Sequence, residues 1–190
     1  MTLVSSCPGI AVIRDPWSRA VKLSFIFNLA IYFAGITAGF MSPSTSVLQS
    51  VLEKFTDIGQ LTVFHRYVFI AVNNIVLAFT LVLFSIAIVP GLAIIAYNGY
   101  IVGALAALWL SAHDSLQKFL ALLVPHGIFE MLALFYASSI GLTIAATHIA
   151  RIQHIEATKK ALSGIAVIVY LLLLAAAVEV VITPYISSLV

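Results

Sequence analysis

Six side chains lie within long apolar runs where hydrocarbon would be their solvent: Asn73, Asn74, Asn98, His126, Glu130 and Glu179. A central acidic residue costs about 2.5 to 3.5 kcal/mol on insertion scales, so such groups face protein, water or one another. His126 and Glu130 are four apart, so on a helix they share a face and can pair. Three chemistries fit this set. The amides and carboxyls can hydrogen-bond between helices and fix their packing. Glu130 and Glu179 can exchange protons while His126 relays them, which makes an ion or proton pathway. His and Glu are also zinc ligands and general bases. This last reading has the thinnest support, because no His-Glu-x-x-His motif occurs and one His with two Glu is a small ligand set. Ser138 and Ser139 lack the glycine-flanked elbow of a nucleophile, and no phosphate-binding glycine loop is present. No catalytic residue, metal ligand set or cofactor is assigned.

The elements that must position these residues follow from composition. The chain has 190 residues, 63% hydrophobic and 8% charged, against about 25% charged in soluble domains. A soluble globular domain and a disordered chain are both excluded. The net charge of +2 leaves no electrostatic footprint for nucleic acid. Five apolar segments match a hydrocarbon thickness of roughly 30 Å at 1.5 Å per residue: 23–41, 67–89, 91–111, 125–146 and 161–182. None alternates as a barrel strand would. The expected fold is all-α: a polytopic helical bundle of about five transmembrane helices, with an N-terminal tail over 1–22 and one membrane domain over 23–190. The first segment follows Arg14, Arg19 and Lys22 without a small-residue cleavage site and is read as a retained anchor. Cys7, the single cysteine, is read as incidental.

Six Lys and Arg fall on one side, Arg14, Arg19, Lys22, Arg151, Lys159 and Lys160, against Lys54, Arg66 and Lys118 on the other. The positive-inside tendency places the N-terminus in the cytoplasm and the C-terminus outside the cell membrane. Trp17 and Trp109 fall where interface anchors do, and His65, His113, His148 and His154 near interfaces or in loops. Val47, Leu48, Val51, Leu52, Phe55 and Ile58 repeat at helical spacing opposite Gln49, Ser50, Glu53, Lys54 and Asp57, which predicts an amphipathic helix in the outer interface. Leu116 to Val124 is expected to be a short re-entrant or interfacial helix ended by Pro125, and Pro90-Gly91 a tight turn between the second and third spans. Counted from the expected outer edge, Asn73 lies about 9 Å deep, Glu130 about 7 Å, Glu179 about 4 Å and His126 about 2 Å, with Asn98 apart nearer the inner side. Gly35 with Gly39 and Gly99 with Gly103 form Gly-xxx-Gly pairs, suited to close helix approach within the chain or in a dimer. Pro125 and Gly127 are grouped with them as packing residues.

Taken together, Asn73-Asn74, Asn98-Gly99 with Gly103, the stretch Pro125-His126-Gly127-Ile128-x-Glu130 followed by Gly141, and Glu179 with Thr183-Pro184 resemble the stage II sporulation protein M family over about residues 22 to 186. The Pro-His-Gly-Ile-x-Glu stretch is the most specific part. The resemblance marks Asn73, Asn74, Asn98, Gly99, Pro125, His126, Gly127 and Glu130. It implies a small polytopic membrane protein without a catalytic residue of its own, since the family's namesake acts in endospore formers with cell-wall hydrolases and is not itself the hydrolase. The function expected is that of a membrane-embedded organiser or complex subunit, held in the lipid bilayer as a homo-oligomer or with other membrane proteins. The alternative is a small ion or proton channel or transporter built on the Asn/His/Glu cluster.

Overall fold

The structure, a computed structural model, describes residues 16–112, 115–149 and 154–187. Cys7, Arg14, His113 and Arg151 lie outside them, as does the side chain of His154. The described residues form helices and no strands: α1 Pro16–Met41, α2 Thr45–Gly59, α3 Val63–Ile86, α4 Val89–Ser111, α5 Leu116–Ile149 and α6 His154–Ala177. A π-helical turn, Val178–Ile182, joins α6 to α7, Thr183–Ser187. Five stretches are long and apolar enough to span a membrane: Trp17–Met41, Val63–Ile86, Val89–Ser111, Leu116–His148 and Lys159–Ile186. Outward apolar side chains such as Phe33, Val76 and Tyr170 are more than half exposed, as lipid-facing positions are.

Helix α5 stands at the centre, packed against α1, α3, α4, α6 and α7. The expected break at Pro125 does not occur, because α5 runs through it as one helix of 34 residues. Proline removes one backbone donor, and within a membrane bundle neighbouring groups can serve the freed carbonyl. The turn between α3 and α4 also sits earlier than expected. Pro90 lies in the first turn of α4, where its missing N–H costs nothing. The reversal centres on Ile88, at φ 64° and ψ −75°, with the Val89 amide donating to the Ala87 carbonyl at 2.8 Å. That is the rare form of γ-turn.

Helices α1 and α4 pack closely in parallel. A Cβ on Gly35 or Gly39 would run into the α4 backbone at Ala96 and Tyr100, and one on Gly99 or Gly103 into the α1 backbone at Tyr32 and Ile36. The two Gly-xxx-Gly pairs therefore seat on each other's helix within one chain. Gly127 makes no such contact, since a Cβ there meets only the Leu123 side chain at 3.9 Å.

Helix α2 is amphipathic as expected: Leu48 is buried, Val47, Val51 and Ile58 are half-buried, and Gln49, Ser50, Glu53, Lys54 and Asp57 are exposed. Tyr100 fastens its approach, its hydroxyl donating to the Ser42 carbonyl and accepting from the Ser44 amide, both at 2.8 Å.

Candidate functional site

Four of the six polar residues line two neighbouring cavities, His126 and Glu179 the larger and Asn98 and Glu130 the smaller. Glu130 and Asn98 line the smaller, about 210 Å³, together with Tyr32, Gly127 and Phe135. Asn98 is thus not apart from Glu130. Because α5 begins at Leu116 rather than at Pro125, Glu130 lies about 20 Å along its helix from the α2 end, and Asn98 lies about as far from the end of α4. Asn98 turns its Nδ2 back to the Ile94 carbonyl at 2.9 Å, which leaves its oxygen for the cavity.

Adjacent asparagines on a helix point about 100° apart, and the Asn pair divides accordingly. Asn74 is buried and hydrogen-bonds the Glu130 carboxyl. Asn73 is exposed in an outward groove with Phe64, Val72 and Val76, and donates to Asn74 Oδ1 at 3.3 Å. It secures the amide that holds Glu130.

The larger cavity, about 640 Å³, opens at the α2 end. Leu105, Leu108 and Trp109 of α4 and Phe119, Leu122 and Leu123 of α5 make its apolar wall. Arg66, His126, Glu179 and Thr183 make the polar one. His126 does not pair with Glu130; its Nδ1 hydrogen-bonds Thr183 Oγ1 at 3.3 Å. The Thr183 hydroxyl in turn donates to the Val178 carbonyl at 3.3 Å, so Nδ1 carries the proton when both bonds stand. Pro184 explains the local backbone. It offers no N–H to the Val180 carbonyl four residues back and its ring crowds that carbonyl, and one turn earlier the helix widens so that the Thr183 amide bonds Val178, five residues back. Glu179 lies in this widened turn. It interacts electrostatically with Glu130 and with Arg66. Among the described residues, no group of three or more His, Cys, Asp or Glu comes together as metal ligands would.

Sequence reasoning passed over a second polar network in the other half of the bundle. Fully buried Asn28 donates through Nδ2 to Ser139 Oγ at 3.2 Å and to the Phe135 carbonyl at 3.3 Å, and accepts from Ser138 Oγ at 3.1 Å. Ser138 also meets Ser85 of α3 at 2.9 Å. The signal was available: Asn28 interrupts an apolar run as plainly as Asn98 does. Ser138 and Ser139 work here as interhelical ties.

The sequence profile of stage II sporulation protein M matches residues 24–184. Searches of curated proteins and of solved structures gave no match. The match covers most of the chain, which therefore belongs to the stage II sporulation protein M family.

Proposed function

We propose that this member of the stage II sporulation protein M family is a membrane-embedded organiser in the cell membrane, a homo-oligomer or a subunit of a larger complex, without catalysis of its own. The observation that carries this reading is the packed layer beyond the cavities. There Asn28, Ser85, Ser138 and Ser139 are committed to one another, amid Leu81, Phe135, Ile140 and Leu172, all 2% exposed or less. An ion reaching Glu130 meets Phe135 and then this packed layer. Such packing suits a rigid scaffold whose outer surface holds partners. Arg19, Lys22, Lys159 and Lys160 flank one end of the bundle and Lys54, Arg66 and Lys118 the other, which supports a cytoplasmic N-terminus.

A conduction pathway has one observation in its favour. Glu130 and Glu179 interact, and the cavities they line share Leu123 as a common wall. Extraction from native membranes into polymer discs, followed by mass measurement, tests the organiser reading. A particle holding several copies or other proteins is expected, and a lone 20.4 kDa chain contradicts it.

A further inference from the structure

The larger cavity presents opposite charges that each lack a full set of partners. Arg66 gives Nη2 to the Gly59 and Leu61 carbonyls at 2.9 and 3.5 Å. Its Nε is enclosed without an acceptor among the described residues, a state that costs about 1 to 3 kcal/mol, so Nη1, which bonds to no described residue and is not enclosed, is the donor left for a guest. Glu179 lines the same cavity and has no hydrogen-bond donor among the described residues, although the Arg66 charge acts on it. The opposite wall is apolar and continuous with the interface, where Trp109 donates to the Ser115 carbonyl at 3.1 Å and stacks aslant on Phe119. A volume of about 640 Å³ falls within the roughly 300 to 1,000 Å³ of small-molecule sites. The complementary guest carries an anionic acceptor, a hydrogen-bonding cation a few bonds away, and an apolar tail.

We propose that this cavity is a headgroup site for a zwitterionic aminophospholipid, with its phosphate on Arg66, its primary ammonium on Glu179, and its glycerol and upper acyl segments along Leu105, Leu108 and Phe119. A purely anionic headgroup leaves Glu179 facing an anion, which is repulsive in a low-dielectric pocket. A choline headgroup has no N–H to give the carboxylate. The apolar wall selects a lipid over a soluble phosphoamine.

The test is binding of phosphatidylethanolamine, phosphatidylglycerol and phosphatidylcholine with identical acyl chains to the purified full chain in detergent, read by native mass spectrometry and by thermal stabilisation. Phosphatidylethanolamine is expected to bind at least about tenfold more tightly than the other two, a difference of about 1.4 kcal/mol. Glu179→Gln is expected to abolish that preference, and Leu122→Trp to weaken binding of all three by narrowing the cavity. Soluble phosphoethanolamine at equal concentration is expected to have no effect. Equal binding of the three lipids, preference for phosphatidylglycerol, selectivity that survives Glu179→Gln, or an equal effect of soluble phosphoethanolamine would each overturn the proposal.

Discussion

Substituting Gly103 by Ala tests the seam between α1 and α4, which borders the smaller cavity at Tyr32 and Asn98. A Cβ at that position would stand 2.8 Å from the Ile36 carbonyl carbon and 2.9 Å from the Phe40 nitrogen, against ordinary contact from 3.4 Å upward. The Ile36 carbonyl oxygen would be nearer still, and all three atoms are backbone that cannot swing aside, so the helices must part by more than about 0.6 Å. A gap of that size forfeits a quarter to a half of each dispersion contact along the seam, and overpacking of this kind costs about 1 to 3 kcal/mol. We expect Gly103→Ala to lose about 2 kcal/mol in reversible unfolding by denaturing detergent in mixed micelles, with helix content before unfolding unchanged. Gly39→Ala, whose Cβ would stand 2.8 Å from the Tyr100 carbonyl carbon, should cost as much alone. It should cost less when added to Gly103→Ala, because the helices are then already apart. Gly127→Ala is the control: its Cβ has room, and helix propensity favours alanine by up to about 1 kcal/mol. Equal stability of Gly103→Ala and wild type, or a loss that grows with dilution of the protein, would refute the intrachain seam.

Asn28→Leu removes the hub of the buried amide and hydroxyl network and is expected to destabilise by about 1 kcal/mol in the same assay, a usual size for interhelical hydrogen bonds in membranes. Ile88→Gly relieves a β-branched residue at φ 64° and should stabilise the α3–α4 hairpin by up to about 1 kcal/mol, seen as a higher midpoint of unfolding. Tyr100→Phe cuts both hydrogen bonds to the Ser42–Ser44 linker. Hydrogen exchange over residues 43–59 should then quicken severalfold while exchange in α5 stays as it was.

The helices and their number were legible because runs of apolar residues near 20 in length have few other uses. The amphipathic helix was legible because Leu48 and Val51 repeat at 3.6-residue spacing. Local punctuation misled at Pro125, where a proline that would end a helix in water is carried through by its neighbours, and the shift in register hid the shared level of Asn98 and Glu130. Pro90 marked the right region but belongs to the first turn of α4. Pairing was beyond local pattern: nothing in Gly35-xxx-Gly39 says that its mate is Gly99-xxx-Gly103. The widened turn at Glu179 arises from Pro184 five residues later, an effect of backbone accommodation rather than of spacing. Asn28 could have been found by the same cost argument that singled out the other amides.

On the proposed reading, the intramembrane polar residues hold a scaffold together and do not carry ions. Proton and cation flux into liposomes containing the purified protein measures this most directly, with Glu130→Gln compared after checking that both proteins insert and assemble alike. Flux no greater than in empty liposomes is expected for either protein, across several ions and pH values. Flux well above that background in the wild type, abolished by Glu130→Gln, would contradict it and make the two cavities parts of a pathway.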